Sequence, residues 1–405
     1  MKNPDLLRSS KFPMWARFAT ICLMIGACLA ACAPGGEDGT FSSVLAPLPA
    51  FPLEVVEVEN GWAVEQKIIA SESYFGHAAW EPTTSELYFI DQVSGELWAL
   101  DASPEISRGP WGQKLVRIAA LPSQPATTDD VLALSVQANR VHVLALGPAG
   151  DRLQVVRFDD QFFRWDTLLT HFDFPPVLVV DDLPFATTNP GGSMITAPDG
   201  SIIIGLGDGG ESGKAQQPGE FAGHLLRFSP DGSIPADNPD PQSPIYASGL
   251  RNPTGLFLLP DGRIIVRDER PQGQEECTFY VQAGADYGWP NAALATEPST
   301  EAFCWTESYG LSGVSSYYPS VFRGRSTDML YDFQIAAGSV SERLIEGWEL
   351  DESGALASVT PLVRMAEGFA PDSIAGTPNG VYFTAGGRLY RSHRWGDNGG
   401  DYTWK

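Results

Sequence analysis

The sequence has few positive charges for its length. Its 405 residues include 26 Lys and Arg against 50 Asp and Glu, which gives a formal net charge of -24 at pH 7. Proteins that bind nucleic acid gain affinity by neutralising phosphates with Lys and Arg. This excess of negative charge therefore excludes nucleic acid as the expected partner and suits calcium or a neutral polar ligand better. An acidic surface that only keeps the protein soluble is the alternative.

Cysteine is also scarce, and long hydrophobic runs are confined to the N-terminus. The 5 Cys exclude a small disulfide-packed domain, and their spacing matches no zinc-binding pattern. No segment after residue 31 is long and apolar enough to predict a transmembrane helix. The abundant residues are Gly (42) and Pro (32), alongside a hydrophobic fraction of 43%. This composition predicts a folded chain rich in turns.

The first 31 residues have the character of an export signal. Four cations precede an apolar stretch at 18–31: Lys2, Arg8, Lys11 and Arg17. The stretch ends in Leu29-Ala30-Ala31-Cys32, which resembles a bacterial lipobox, where the signal is cleaved before the Cys and that Cys is lipidated. An ordinary secretory signal cleaved nearby is the alternative. Both predict export, and the lipobox predicts an extracytoplasmic chain anchored through Cys32, with 32–55 as a flexible Pro-rich tether.

Turn motifs recur at a regular spacing along the rest of the chain. Pro198-Asp199-Gly200 and Pro260-Asp261-Gly262 are 62 positions apart (260 minus 198), and Pro378-Asn379-Gly380 follows 118 positions later (378 minus 260). Such triplets favour type I turns in which Gly relieves a positive φ. Weaker turns near residues 83 and 139, and an inferred one near residue 320, complete the series. The spacing predicts six units of about 60 residues over 56–395, with a C-terminal tail at 396–405.

Each unit carries short β-branched or aromatic runs and no long amphipathic helical pattern. One run follows the turn directly, as in 202–206, and a second closes the unit, as in 224–228. Paired strands at this period predict an all-β protein, a six-bladed β-propeller with one four-stranded antiparallel sheet per blade. A pair of β-sandwiches is the alternative. A propeller binds its ligand at the mouth of the central channel.

The densest group of motifs lies between residues 189 and 291. It comprises NPGGSM at 189–194, APDGSIIIGLGDGG at 197–210, GHLLRFSPDGSIPADNP at 223–239, GLRNPTGL at 249–256 and DYGWPN at 286–291. Together these motifs resemble the glucose/sorbosone dehydrogenase family, six-bladed propellers that use pyrroloquinoline quinone (PQQ) and calcium. The resemblance implies oxidation of an aldose at C1 to the lactone, with a sugar substrate and an external electron acceptor.

The resemblance also implies roles for individual residues. The family's base, a His that takes the C1 hydroxyl proton, aligns with Asn189, whose amide cannot accept a proton usefully. Arg251 and Asn252 occupy the positions of the family's quinone contacts, which places Arg251 at the catalytic centre; a guanidinium suits a carboxylated cofactor. The family's Arg-x-Arg cofactor clamp aligns with 369–371, where this chain has Phe-Ala-Pro.

Calcium is the second cofactor that the resemblance implies. The main-chain oxygens of Arg270 and Pro271 would bind the ion, and Glu275, Glu276 and Tyr287 stand at the positions of the family's acidic pair and of the tyrosine beside a second ion. Hard oxygen ligands at such mixed spacing are what calcium accepts. For the two Glu, exposed and solvated carboxylates are the alternative.

The cysteines divide into those of the signal and those of the exported chain. Cys22 and Cys28 leave with the signal, and Cys32 carries the lipid. Cys277 and Cys304 remain, and an oxidising compartment permits a disulfide. We predict that these two residues pair.

Two functions of other classes stay open. A non-catalytic, calcium-stabilised propeller that binds carbohydrate or protein would need neither the base nor the cationic clamp. A calcium-dependent lactonase-like hydrolase would need carboxylates near the channel axis, for which Asp208, Asp268 and Glu269 are candidates. A dehydrogenase would need a substitute base, for which His77 and His171 are candidates.

Overall fold

β-Strands make up nearly all the regular structure of this chain. The computed structural model describes residues 53–55, 62–66, 75–81, 84, 86–91, 94–101, 115–120, 131–138, 140–159, 176–259, 262–271, 276–295, 301–305, 311–317, 334–339, 343–350, 356–377 and 380–394. Within these ranges the helices are two short 3-10 helices, Ser212–Gln216 and Ala292–Leu294, and neither is long or apolar enough to cross a membrane. The prediction of an all-β chain is confirmed, whereas the predicted signal at 1–31 lies outside the described residues.

The described strands form six antiparallel sheets, numbered I to VI along the chain. Two N-terminal strands come first, β1 (Leu53–Val55) and β2 (Trp62–Gln66). Sheet I consists of β3 (Phe75–Glu81), β4 (Glu86–Asp91), β5 (Glu96–Asp101) and β6 (Leu115–Ala120). Sheet II consists of β7 (Val131–Gln137), β8 (Arg140–Leu146), β9 (Arg152–Asp159) and β10 (Val177–Pro184). Sheet III consists of β11 (Gly191–Thr196), β12 (Ile202–Leu206), β13 (His224–Phe228) and β14 (Ile245–Ala247).

The second half of the chain continues the pattern. Sheet IV consists of β15 (Pro253–Leu258), β16 (Ile264–Asp268), β17 (Glu276–Tyr280) and β18 (Glu301–Trp305). Sheet V consists of β19 (Leu311–Tyr317), β20 (Gln334–Ser339), β21 (Leu344–Leu350) and β22 (Leu356–Met365), with β1 beside β22. Sheet VI consists of β23 (Pro371–Thr377), β24 (Gly380–Ala385) and β25 (Arg388–Arg394), with β2 beside β25.

The first strands of the six sheets form a closed ring. Strands β3, β7, β11, β15, β19 and β23 contact one another in that order, and β23 contacts β3. The sheets therefore surround a common axis, which is the arrangement of a β-propeller. Sheet V has five strands where four per sheet were predicted, because β1, at the end of the predicted tether, adds to its outer edge.

The predicted turns lie between the first and second strands of the sheets. At two of the Pro-Asp-Gly triplets the Gly N–H closes the turn: Gly200 donates to Ala197 O at 2.8 Å, and Gly262 donates to Leu259 O at 2.9 Å. Both glycines have φ near the left-handed region, at 82° and 88°, where a side chain would be strained. Residues 83, 139, 320 and 378, near which the other turns were predicted, lie outside the described residues, in the intervals between the first and second strands of sheets I, II, V and VI.

A β-bulge interrupts every first strand at the end opposite the turn. In all six hairpins the register with the second strand shifts just after the first residue pair, as between Gly191 and Ser193 in β11. A bulge bends a strand and redirects the side chains beside it. Each of the six first strands therefore begins beside a bulge, in an equivalent position.

Apolar side chains fill the space between neighbouring sheets. Between sheets III and IV the buried cluster includes Ile203, Leu225, Val266 and Phe279, and comparable clusters join sheets I and II, II and III, and I and VI. Full burial of one such side chain stabilises a fold by about 1.5 to 3 kcal/mol. Packing between sheet faces is thus the main force that holds the ring together.

A buried polar group connects sheets II and III inside this apolar setting. Ser135 Oγ donates to Thr196 Oγ1 at 3.0 Å, and His142 Nδ1 lies 3.1 Å from the same oxygen. The His142 ring is 1% exposed, and its Nε2 has no hydrogen-bond partner. Burial, followed by the charges of Arg157 and Arg140, lowers the pKa of His142 to about 4, against a smaller opposing effect of Asp159. The imidazole is therefore neutral in the folded protein at pH 7.

The buried imidazole predicts acid sensitivity. Because the pKa of His142 is about 4 in the fold and 6.5 in the unfolded chain, the unfolded state binds the proton first as the pH falls. The stability is thus complete above pH 6.5 and is lost towards pH 4, by roughly 3 kcal/mol for this group. Urea unfolding at several pH values should show a shallower pH dependence for His142→Gln than for wild type. Equal slopes for the two proteins would contradict the prediction.

Candidate functional site

Loops at the bulged end of sheets III and IV bring a set of polar side chains together. Because the first and second strands of each sheet are antiparallel, the residues that enter the first strand lie beside those that leave the second. The loop that follows β17 joins them. We call the following residues the mouth cluster: Asn189, Asp208, Arg251, Asn252, Asp268, Glu269, Arg270 and Trp289.

Main-chain hydrogen bonds hold these loops against one another. The Asp208 N–H donates to Arg251 O at 2.7 Å, which joins the loop after β12 to the loop before β15. The Gly207 N–H donates to Pro190 O at 3.1 Å, and a Cβ at Gly207 would overlap the main chain of Asn189. Only glycine permits this close approach.

Asp208 accepts three hydrogen bonds in a buried position. Asp208 is 1% exposed to solvent. Oδ1 accepts from Asn189 Nδ2 and from the Gly210 N–H, both at 2.8 Å, and Oδ2 accepts from Trp289 Nε1 at 2.9 Å. Hydrogen bonds to a carboxylate stabilise its charged form. Asp208 thus organises the mouth cluster as a charged acceptor.

Asn189, at the predicted position of the base, is fixed as a hydrogen-bond donor. Its backbone has φ of 44°, which is uncommon for a residue other than Gly. Its amide nitrogen is committed to Asp208, and its Oδ1 has no partner among the described residues. An amide oxygen accepts hydrogen bonds but takes up no proton near neutral pH. The position can therefore bind a hydroxyl group but cannot deprotonate one.

Asp268 supports the loop that carries Arg251 and Asn252. Its carboxylate is fully buried, and Oδ1 accepts the N–H groups of Arg251 at 2.9 Å and of Asn252 at 2.8 Å. Oδ2 lies 2.8 Å from Arg270 Nε in an ion pair without hydrogen-bond geometry. Burial raises the pKa of Asp268, an effect that Arg270 and the two N–H donors oppose. The charge of Asp268 is thus compensated by Arg270.

Asn252, a predicted cofactor contact, uses both ends of its amide within the protein. Its Oδ1 accepts the Gly191 N–H at 2.8 Å, and its Nδ2 donates to Glu269 Oε2 at 2.7 Å. The side chain therefore links β11 to the end of sheet IV, and it engages one oxygen of the Glu269 carboxylate.

Arg251 has no carboxylate partner in the described part of the chain. One of its nitrogens, Nη1, donates to Glu269 O at 3.1 Å, and its guanidinium carbon lies 5.9 Å from the centre of the Trp289 ring. The residue is half-buried and makes no ion pair there. A guanidinium has five N–H donors in a planar fork that matches a carboxylate. Arg251 thus offers a guanidinium that forms no salt bridge with the described residues, although its charge helps to oppose the raised pKa of the nearby Asp268.

Trp289 is held in place from several directions. Gln216, at the end of the first 3-10 helix, donates through Nε2 to Trp289 O at 2.8 Å and to Asp286 Oδ1 at 2.9 Å. The guanidinium carbon of Arg270 lies 5.4 Å from the centre of the indole ring. A guanidinium near an indole is attracted to the ring electrons. The indole is therefore a fixed part of the mouth cluster.

The predicted calcium residues lie in the loops beside this cluster. Arg270 Nη2 donates to Tyr287 O at 3.2 Å, while the Tyr287 hydroxyl donates to Tyr280 O at 3.0 Å. Burial raises the pKa of Tyr287 to about 12. Glu275 and the side chain of Glu276 lie outside the described residues. Among the residues that are described, no three His, Cys, Asp or Glu side chains gather as a metal site, and the calcium assignment stays a prediction.

Other predicted residues occupy separate parts of the ring. His77 lies in β3 of sheet I, where its Nε2 is 2.8 Å from Val131 O, and burial lowers the pKa of its imidazole. His171 lies outside the described residues. At the predicted position of the Arg-x-Arg clamp, Pro371 begins β23, and the chain supplies no cation there.

The predicted cysteine pair lies in sheet IV. Cys277 is disulfide-bonded, and the residue directly opposite it in the register of β17 and β18 is Cys304. Cys277 also stands opposite Asp268 in the pairing of β16 and β17. Strand β17, which carries the disulfide-bonded Cys277, therefore lies directly beside the buried Asp268.

Two contacts of the mouth cluster were not expected from the sequence. The segment GLGDGG at 205–210 leads from β12 to the first 3-10 helix, and no α-helix follows it directly. Asp208 in this segment was considered only as a lactonase ligand, and Trp289 was not among the predicted site residues. The position of Asp208 in the sequence could have indicated its role in the site. Asp208 follows the second strand of its unit, and Asp268 ends the second strand of the next unit.

Comparison with known proteins gives a sequence match for the second half of the chain. Residues 177–368 match a family model described as Glucose / Sorbosone dehydrogenase. Quinoprotein glucose dehydrogenase B of Acinetobacter calcoaceticus is 32% identical over 150 residues, covering 32% of this chain and 31% of the relative. An aldose sugar dehydrogenase of Escherichia coli (strain K12) is 29% identical over 154 residues, covering 33% and 41%. The chain thus spans less than half the length of these curated relatives.

Solved structures show a likeness over most of the fold. A structure described as glucose dehydrogenase gives a TM-score of 0.61 at 19% identity, covering 81% of this chain and 99% of the other. The PQQ-bound form of an aldose sugar dehydrogenase from Streptomyces coelicolor gives 0.60 at 16% identity, covering 82% and 99%. The fold is therefore that of the propeller-like sugar dehydrogenases, and residues 177–368 carry the matching family pattern.

The three hydrogen bonds of Asp208 predict its contribution to stability. In Asp208→Asn an amide NH2 replaces one acceptor and faces a donor, either Trp289 Nε1 or Asn189 Nδ2. The free energy of unfolding, measured by urea denaturation, should fall by about 1 to 3 kcal/mol. Asp181→Asn is the control, since Asp181 is exposed on β10 and should change stability by less than about 0.5 kcal/mol; an equally small effect at Asp208 would contradict the assignment.

Proposed function

We propose that this chain is an exported, sugar dehydrogenase-like six-bladed β-propeller that binds a carbohydrate ligand at the mouth cluster without oxidising it. One observation carries the proposal. Asn189, where the resemblance places the base, is a fixed amide donor to Asp208, whose buried carboxylate accepts three hydrogen bonds. The closed ring of first strands and the family match over 177–368 support the scaffold.

Oxidation of an aldose at C1 requires a group that takes the hydroxyl proton as hydride leaves. Of the three carboxylates of the mouth cluster, Asp208 and Asp268 do not offer themselves for this role, and Glu269 is hydrogen-bonded to Asn252 through one oxygen. Asp208 is covered by its donors, and Asp268 is fully buried beside Arg270. A missing general base alone costs about two to four orders of magnitude in rate. The described residues thus favour binding over proton transfer.

The described residues also do not fit the tricarboxylated quinone PQQ. Among the Arg side chains of the mouth cluster, Arg270 forms an ion pair with Asp268, whereas Arg251 forms none with the described residues. The Phe-Ala-Pro sequence at 369–371 adds no cation. Three carboxylates would meet one unpaired guanidinium and the nearby Glu269 carboxylate, and like charges repel. We therefore derive no chemical step through PQQ.

Calcium fits the loop after β16 better than PQQ fits the mouth cluster. Neither the Arg270 nor the Pro271 main-chain oxygen accepts a hydrogen bond within the described part of the chain. Free carbonyl oxygens are hard ligands of the kind that calcium prefers. We propose that a calcium ion bound here, with Glu275, Glu276 and the loop of Tyr287 nearby, stabilises the edge of the mouth.

A PQQ-dependent aldose dehydrogenase is the second candidate function. Arg251 favours it, because an unpaired guanidinium at this position would suit one carboxylate of a quinone cofactor. Under this alternative, the substitute base and the remaining cofactor contacts would have to come from residues outside the mouth cluster.

Location forms part of the proposal. The signal at 1–31 would direct export, and lipid on Cys32 would hold the propeller outside a bacterial membrane. The Pro-rich stretch up to β1 would act as the tether.

Dye reduction tests the choice between binding and oxidation. Detergent-solubilised full-length protein is incubated with PQQ and calcium, and reduction of an artificial dye is followed with a panel of aldoses. We expect no sugar-dependent reduction, and no gain in Asn189→His, because PQQ is not held. Micromolar PQQ binding with sugar-dependent reduction by wild type would establish the dehydrogenase instead. Calcium alone should raise the melting temperature, and an unchanged value would refute the calcium proposal.

Lipid labelling tests the anchor. Wild type expressed in a bacterial host with labelled fatty acid should carry the label and sediment with membranes. Cys32→Ser lacks the acceptor thiol, so it should stay unlabelled. An unlabelled wild type, or labelling that persists in the variant, would refute lipidation at Cys32.

A further inference from the structure

We infer that the ligand of the mouth cluster is a carbohydrate that carries one carboxylate, an aldonate or a uronate, and that Arg251 binds this carboxylate. The inference rests on the proposed function, because it names the class of ligand that the same site takes. It differs from a neutral aldose by one negative charge, and from PQQ by two carboxylates fewer.

The charges of the mouth cluster leave one cation for a ligand. Asp268 is paired with Arg270 and with two main-chain N–H groups. Asp208 is covered by three donors from the protein, and Glu269 Oε2 takes the Asn252 amide. Arg251 makes no ion pair in the described part of the chain. Its guanidinium donates one hydrogen bond to Glu269 O and keeps further N–H donors, which a single ligand carboxylate can accept.

The same count limits the charge of the ligand. The mouth cluster contains three carboxylates, those of Asp208, Asp268 and Glu269, against two guanidinium groups, those of Arg251 and Arg270. One ligand carboxylate finds the Arg251 guanidinium. Because the sum is negative even before a ligand binds, a carboxylate is accepted only where it meets the Arg251 guanidinium directly. Further carboxylates on the same ligand would meet like charges, which destabilise each other within a few ångström.

Arg251 is positioned for this role by its own main chain. Its N–H is held by Asp268 Oδ1 at 2.9 Å, and its carbonyl accepts the Asp208 N–H at 2.7 Å. The side chain uses one N–H for Glu269 O and lies near the Trp289 ring. The remaining N–H donors of the fork can form the paired hydrogen bonds that a carboxylate accepts. Little conformational freedom is then lost on binding.

The hydroxyl groups of a sugar acid have a matching acceptor. Asn189 is hydrogen-bonded to Asp208, and the Asp208 N–H is bonded to Arg251 O, so the two side chains belong to one connected network. The Asn189 nitrogen faces the protein, which leaves Oδ1 to accept a hydroxyl donor. A cation next to a neutral acceptor is complementary to a polyhydroxylated carboxylic acid.

Calorimetry on the full-length protein tests the inference. The probes are gluconate, glucuronate and galacturonate; the matched neutral probes are glucose, galactose and the methyl esters of the two uronates. Sugar acids should bind at least about 10-fold more tightly than the neutral probes. Arg251→Gln should weaken sugar-acid binding by about 10- to 100-fold, because a hydrogen bond to a charged group is lost. Arg251→Lys should retain part of the affinity, since the charge remains without the fork.

The controls separate the possible failures. Arg152→Gln removes an exposed arginine from sheet II and should leave binding unchanged; the melting temperatures of the Arg251 variants show that they fold. Equal binding of acids and neutral probes, or no loss in Arg251→Gln, would overturn the inference and leave the carbohydrate-binding function standing. No binding of any carbohydrate would overturn both. Preference for PQQ over the sugar acids, lost in Arg251→Gln, would replace the inference with the dehydrogenase.

Discussion

The pairing of β2 with β25 closes the ring of sheets, and the mouth depends on that closure. Trp62 to Gln66 pair antiparallel with Arg394 to Tyr390, so a strand from the start of the described chain completes the sheet that ends it. Without β2, sheet VI would keep three strands and an exposed edge. Within the described residues each first strand contacts the first strand on either side of it around the axis, and β23 contacts β3.

Two buried carboxylates at the ends of second strands fix the positions of the loops beside them. Asp208 and Asp268 follow equivalent second strands, and each holds N–H groups of a loop that enters a first strand or lies beside it. Because both are removed from water, an unpaired orientation would be costly. The main chains of the two loops are further joined through Asp208 N–H and Arg251 O. The two loops are therefore held in fixed positions at the mouth, and few of their polar groups are left without a hydrogen-bond partner among the described residues.

The chemistry of the mouth follows from which of its groups remain unengaged. Asp208 and Asp268 accept hydrogen bonds from several donors, and Glu269 accepts one through Oε2. The Arg251 guanidinium, in contrast, uses one N–H, and the Asn189 oxygen accepts no hydrogen bond among the described residues. A site with a fixed cation and a neutral acceptor selects ligands by charge and hydroxyl pattern. The family model matches residues 177–368, and the proposed binding function depends on Asn189 standing at the position predicted for the base.

The sequence by itself determined the class and rhythm of the fold, and the tertiary structure decided the state of the site. The Pro-Asp-Gly triplets marked the first hairpin of sheets III and IV, because turn geometry depends on adjacent residues. The motif around Arg251 and Asn252 likewise located the mouth. The fifth strand of sheet V was not predictable, since β1 pairs with a strand more than 300 positions away (365 minus 53).

The free or occupied state of each charge was equally beyond the sequence. Asn252 forms hydrogen bonds through both ends of its amide, and Asp268 pairs with Arg270, whereas Arg251 forms no ion pair with the described residues. These states depend on which distant side chains folding brings within about 3 Å. The contact of Trp289 with Asp208, 81 positions apart, is of this kind. Local propensity acts over a few residues, whereas burial and charge compensation are properties of the assembled ring.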